Sequence, residues 1–234
     1  MKALVTGASR GIGRAIAVRL ARDGFDTVLT GRDRAALEET ARLVRAAGRD
    51  AAIIIVDLAA VDAHATIAAR VGEQEGLAVL VNNAGLAPGG AVESYTVADW
   101  ERVMAVNARA PFFVTQALLP QLRRARPGCV VNICSVVSRK GYANQSLYTA
   151  SKHALLGFTK ALAREVPTDE LRVHAVLPGG VDTEMIRGVR PDITADELIS
   201  PEEIADVVGT LVAMKGNAVI DEVEVRRRTK PAWD

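Results

Sequence analysis

Short apolar runs alternate along this chain with longer segments of helical period, and few folds accept that alternation. It points to βαβ units wound about a parallel sheet, because each strand then feeds a helix that packs back onto the sheet. The expected strands are Lys2–Thr6, Thr27–Thr30, Ala52–Val56, Ala78–Asn82, Cys129–Cys134, Val173–Leu177 and Val219–Val225. Most are uniformly apolar, as strands are when helices cover both faces of the sheet. The 234 residues fit one domain, since cores split beyond roughly 250 residues. The expectation is an α/β single domain of about seven parallel strands, doubly wound.

Between the strands, Ile12–Asp23 and Arg34–Ala47 carry helical spacing, with Asp33 placed to cap the second and Gly48 to close it. Longer helical regions span Val97–Arg126, where Pro111 demands a kink or break, and Ser146–Val166, which stops before Pro167. Ser200-Pro201-Glu202-Glu203 forms a capping box that opens a last helix running to about Lys215.

Twenty-nine basic residues against 28 acidic ones leave a net charge of +1, too balanced for the positive field of nucleic-acid or anionic-membrane binders. Neither partner is expected, and no run approaches the roughly 20 apolar residues of a membrane span. The chain enters a strand at once, without the pattern of an export signal, so a cytoplasmic location is expected. Cys129 and Cys134 flank an apolar run and read as small buried residues. His64, His153 and His174 have no metal-ligand spacing, and no metal is expected. Arg226-Arg227-Arg228 reads as a solvated terminus.

Thr6-Gly7-Ala8-Ser9-Arg10-Gly11-Ile12-Gly13 lies between the first strand and first helix. There, glycines permit a tight turn and close approach of backbone to a pyrophosphate, while the helix N-terminus supplies donors and a positive dipole. Arg32 follows the second strand, where a 2′-phosphate needs cationic donors, and Arg10 adds a second cation. Asp33 is the rival candidate for a ribose acid but is better placed as a cap. NADP(H) is therefore the preferred cofactor and NAD(H) the alternative, for if both arginines are merely exposed NADH serves equally well.

Tyr148 and Lys152 stand four residues apart on one helical face. Ser135 ends the apolar run Val130–Cys134 thirteen residues before Tyr148, at the kind of strand end where open α/β sheets place ligands. Reducing a carbonyl needs hydride at carbon, a proton at oxygen and stabilisation of the charge that develops. A phenol titrates near pH 10, and a neighbouring ammonium favours phenolate. Tyr148 is thus the expected acid/base, Lys152 the group that lowers its pKa, and Ser135 the donor to the substrate oxygen.

The glycine turn resembles the T-G-x-x-x-G-x-G signature of the short-chain dehydrogenase/reductase family, and Tyr148-Thr149-Ala150-Ser151-Lys152 resembles its Y-x-x-x-K. Asp57-Leu58 after the third strand, Asn82-Asn83-Ala84-Gly85 after the fourth and Pro178-Gly179-Gly180-Val181-Asp182-Thr183 after the sixth carry the resemblance over nearly the whole chain. It implies a Rossmann-type fold and a catalytic set of Asn107, Ser135, Tyr148 and Lys152, with Asn107 holding a water that relays protons from Lys152. The implied cofactor set is Gly7, Ser9, Arg10, Gly11, Ile12, Gly13, Arg32, Asp57, Leu58, Asn83, Ala84, Gly85, Tyr148, Lys152, Pro178, Gly179, Val181 and Thr183, with Lys152 on the nicotinamide ribose. Basic residues within the glycine motif and after the second strand accompany NADP preference in this family.

The expected activity is carbonyl–alcohol interconversion on a small molecule. Leu86–Ser94, Ser138–Gln145 and a short lid over Glu184–Ile199 form the expected substrate walls, with no arginine clearly placed to clamp a carboxylate. Arg123, Arg124 and Arg126 keep 3-oxoacyl reduction on an acyl carrier protein as an alternative; a non-catalytic NADP-binding sensor and a redox-neutral epimerase or dehydratase are others. A homodimer through the two long helical regions, or a homotetramer, is expected, although the tail lacks the glycine pair of many tetrameric relatives.

Overall fold

The structure, a computed structural model, describes residues 1–72, 76–167, 170–189 and 193–232. Seven strands form one sheet: β1 (Lys2–Thr6), β2 (Asp26–Gly31), β3 (Ala51–Ile55), β4 (Leu77–Asn82), β5 (Gly128–Ile133), β6 (Leu171–Pro178) and β7 (Glu222–Val225). Every pairing is parallel, in the order β3-β2-β1-β4-β5-β6-β7. All strands therefore end on one edge, and the order reverses at β1/β4, where a doubly wound sheet opens a crevice.

The helices are α1 (Gly11–Arg22), α2 (Arg34–Ala46), α3 (Ala63–Val71), α4 (Val97–Met104), α5 (Ala110–Ala125), α6 (Ser146–Glu165), α7 (Glu184–Val189) and α8 (Pro201–Ala213). Strand side chains alternate between the two layers. Ala3, Val5, Val79, Val81, Cys129 and Val131 pack with Ile16, Leu20, Leu37, Ile204 and Val208 of α1, α2 and α8. Leu4, Leu77, Leu80 and Val130 pack with Ile67, Val114, Leu118 and Leu162 of α3, α5 and α6. One polar seam crosses this core. Asn82 and Asn132, paired in register, are joined at 2.8 Å, and their amides also donate to Thr115 and Thr159.

Helix α3 is an element that apolar periodicity does not reveal, because only Ala63, Ile67 and Val71 of its nine residues are buried. The region around Pro111 divides into α4, a π-helical turn at Ala105–Arg109 and α5. Pro111 has no N–H for the carbonyl four residues back, that of Asn107, so the helix widens there instead of continuing in α geometry. Strand β7 begins at Glu222, three residues later than the apolar run suggests.

Candidate active site

The crevice at the strand ends is a cleft of about 1120 Å³. Every residue singled out above as catalytic or cofactor-binding lines it, except Asn107.

At its β1 end, Gly7 and Gly11 have φ of +65° and +54°. A Cβ on Gly13 would lie 2.2 Å from the Gly7 carbonyl oxygen, so only glycine lets α1 start this close beneath the turn. Arg10, the N-cap of α1, makes no side-chain cap, and the first turn holds no acid. Asn83 fastens the turn from β4, its amide donating to the carbonyls of Thr6 (2.9 Å) and Gly7 (3.1 Å). Thr6 Oγ1 in turn accepts from the backbone N–H groups of Asn83 and Ala84. The Asn83 side chain is thus occupied in shaping the cradle.

Asp33 caps α2 by accepting from Ala36 N at 3.0 Å. Arg32 instead faces Asp57 at 3.8 Å, and Arg102 of α4 reaches the same carboxylate oxygen at 3.8 Å. Arg102 gives no sequence signal, since it comes to this corner only through the packing of α4. Arg10 pairs with Glu184 at the start of α7, linking the glycine turn to the short lid; residues 190–192 of that lid lie outside the described residues.

Ser135, just beyond β5, caps a 3₁₀ turn at Val136–Ser138, its Oγ accepting from Val137 N at 3.3 Å. The turn aims the hydroxyl at Tyr148 of α6. Tyr148 keeps partial exposure as a residue, but its phenol is desolvated. Burial pushes it up to about 12, with the hydrogen bond to Ser135 opposing. Lys152 is 3% exposed and its Nζ donates to the Ile133 carbonyl at 2.7 Å, 5.9 Å from the Tyr148 ring centroid. Burial brings Lys152 down to about 8. Burial is thus the largest influence on the phenol, and the Lys152 ammonium is directed at the Ile133 carbonyl.

Asn107 sits behind the cleft, fully buried in the π turn. Its side chain exchanges two 2.8 Å hydrogen bonds with the backbone of Leu86 and donates to Ser151 Oγ at 2.9 Å. Gly85 lies between Asn107 and Lys152: a Cβ there would be 3.6 Å from Asn107 Oδ1 and 3.6 Å from Lys152 Nζ. Burial pushes Cys129 up to about 12 and Cys134 up to about 11, so both remain protonated thiols.

The tail arginines divide: Arg226 and Arg228 are exposed, as a solvated terminus implies, whereas Arg227 is 9% exposed and lines the cleft beside Gly180. The signal for Arg227 lay in topology: β7 ends on the same edge as the other strands and delivers the residues after Val225 to the cleft rim.

Residues 1–194 match the short chain dehydrogenase family. The chain belongs to this family. It is 36% identical over 221 residues to 3-oxoacyl-acyl-carrier-protein reductase FabG of Pseudomonas aeruginosa, covering 90% of this chain and 89% of that protein. To the enzyme of the same name from Aquifex aeolicus it is 35% identical over 234 residues, covering 94% and 93%. Among solved structures, a metagenomic short-chain oxidoreductase in complex with NADP matches with a TM-score of 0.84 at 38% identity, over 97% of each chain. A short chain dehydrogenase from Burkholderia cenocepacia in complex with NADP matches with a TM-score of 0.86 at 34% identity, covering 96% and 95%. As a member of the short-chain dehydrogenases, this protein is an oxidoreductase acting on CH–OH or carbonyl groups.

The depressed Lys152 value has a consequence for stability. The unfolded chain binds this proton up to about pH 10.5 and the folded one only to about pH 8, so stability rises with pH across that window and the burden of the buried charge is complete below it. That burden is about 3 kcal/mol, from 1.36 kcal/mol per pKa unit, offset by the unpaired Ile133 carbonyl that removal would leave. Lys152→Met should raise Tm at pH 6–7 by roughly 3–6 °C, with the gain shrinking towards pH 10. A lower Tm at every pH in scanning fluorimetry would contradict this.

Proposed function

We propose that the chain interconverts a small-molecule ketone or aldehyde and its alcohol with NADP(H), using Tyr148 as acid/base. The observation that carries this reading is the convergence, on the cleft wall, of a desolvated phenol, the Ser135 hydroxyl bonded to it and the buried Lys152 ammonium beneath. The glycine turn fits a dinucleotide: α1 opens without a side-chain cap or acid, leaving its first N–H groups to an anion. Gly11, Ile12 and Gly13 would hold the pyrophosphate, and Lys152 with Tyr148 the nicotinamide ribose. When bound there, the cofactor supplies the hydride.

The chain's own groups handle the proton. Tyr148, protonated across the physiological range, donates to the substrate oxygen in reduction, while Ser135 donates a second hydrogen bond to the same oxygen. Lys152 spends one N–H on Ile133 and keeps two for ligands; its charge stabilises the phenolate left behind. Asn107 orders Leu86 and Ser151 around the lysine, and a water beside it would return the proton. The same reading places the protein in the cytoplasm as a homodimer or homotetramer.

Solved relatives complexed with NADP support the phosphorylated cofactor, as does the Arg32–Arg102 corner, where two cations share one carboxylate. Reduction of 3-oxoacyl groups on an acyl carrier protein is the second reading, favoured by the FabG relatives. Two of the arginines suited to docking such a carrier, Arg123 and Arg126, share Glu170.

NADPH absorbance, followed with aldehydes, ketones, diketones and 3-oxoacyl thioesters, should fall with one of these classes. Tyr148→Phe should retain NADPH binding and lose at least about 10²-fold in turnover; near-normal turnover removes Tyr148 as donor. Arg32→Ala should weaken NADPH about tenfold through one lost charge-assisted contact and leave NADH nearly unchanged. Equal effects on both cofactors in a fluorescence titration would sink the 2′-phosphate assignment.

A further inference from the structure

The C-terminal tail carries a cation that the proton relay and the glycine cradle do not use. Val225, the last residue of β7, pairs with Pro178, and its carbonyl accepts from Gly179 N at 2.7 Å. The tail then folds on itself: Lys230 N donates to the Arg227 carbonyl at 3.0 Å, and Arg226 donates to the Lys230 carbonyl at 2.6 Å. This turn lays Arg227 over Gly180, where a Cβ would stand 3.3 Å from its Cδ and 3.5 Å from its Nε.

Arg227 is nine-tenths buried on the cleft wall, yet among the described residues its guanidinium has no hydrogen-bond or ion-pair partner. The acids of the same wall are committed elsewhere: Asp57 to Arg32 and Arg102, Asp99 to Thr96, Asp182 to Arg187, Glu184 to Arg10, and Glu224 to Arg139. A guanidinium on a cleft wall with its donors uncommitted is a fork that fits a carboxylate or phosphate. The glycine turn that would hold the cofactor's phosphates is met by Thr183 of the loop that carries Gly180, a Cβ on Gly11 standing 3.1 Å from Thr183 Cγ2, so those phosphates are the competing anion and NADPH affinity in an Arg227 variant tells them from the substrate.

We propose that Arg227 is the receptor for an anionic group on the substrate, so that the preferred substrates are carbonyl compounds bearing a carboxylate or phosphate. The proposal rests on the carbonyl-reducing reading above.

The test uses matched pairs with NADPH: pyruvate, acetoacetate and levulinate against their methyl esters, and dihydroxyacetone phosphate against dihydroxyacetone. At least one anionic member should exceed its neutral partner about tenfold or more in kcat/KM, and which pair does so distinguishes carboxylate from phosphate. Arg227→Met should remove that advantage through KM while leaving the neutral member and NADPH affinity unchanged, and Arg227→Lys should restore part of it. Preference for the neutral member in every pair overturns the proposal, as does an equal loss on both members or a tenfold weaker NADPH in Arg227→Met. If no pair turns over and the wider panel of aldehydes, ketones, diketones and 3-oxoacyl thioesters is silent as well, the carbonyl-reducing reading fails separately. Calorimetric binding of an anionic member to NADP⁺-loaded protein, abolished in Arg227→Met, then still upholds the receptor, and absence of any such binding overturns it.

Discussion

A lysine ammonium held at 3% exposure against the carbonyl of Ile133 is the constraint around which this site is arranged. A charge in that position is unfavourable in the free fold, so the surroundings must hold it in place. The end of β5 supplies the acceptor, and α6 supplies the lysine one turn beyond Tyr148. Asn107 and Ser151 close the back by bonding to one another. Stability is given up where the chemistry needs a cation beneath a phenol, a pattern common where function and folding compete.

The sheet makes that local arrangement useful. Parallel strands deliver their ends to one edge, so residues distant in sequence meet without long loops. The glycine turn follows β1, the Arg32 corner follows β2, the Asn83 brace follows β4, Ser135 follows β5 and the Pro178–Gly180 loop follows β6. Arg227 follows β7 by the same rule and comes to lie over Gly180 of the loop after β6.

Much of this was legible in the residues. Apolar runs gave the seven strands, because burial on both faces leaves a pattern that solvent-facing strands do not. Asp33 declared itself as a cap by preceding a helical run, and Tyr148, Lys152 and Ser135 by spacing and by position at a strand end. Features that depend on three-dimensional surroundings were not legible. The Tyr148 phenol is pushed up by burial, with the hydrogen bond to Ser135 opposing, and spacing along the chain does not reveal that burial. Asn107 looked like part of a continuous helix, and only the π turn ahead of Pro111 explains its placement. Arg102 and Arg227 resemble ordinary surface arginines until packing brings them to the cleft, and α3 hides because only a narrow stripe of it is buried.

The central claim is that the fold holds Lys152 as a titratable cation beside Tyr148, and its ionisation is directly observable. Carbon-13 NMR of the lysine Cε resonances, followed with pH in the unliganded protein, reports each of Lys2, Lys140, Lys152, Lys160, Lys215 and Lys230. The account predicts one resonance, missing in Lys152→Met, that titrates near pH 8. A Lys152 resonance that titrates near the ordinary lysine value of about 10.4 would contradict it.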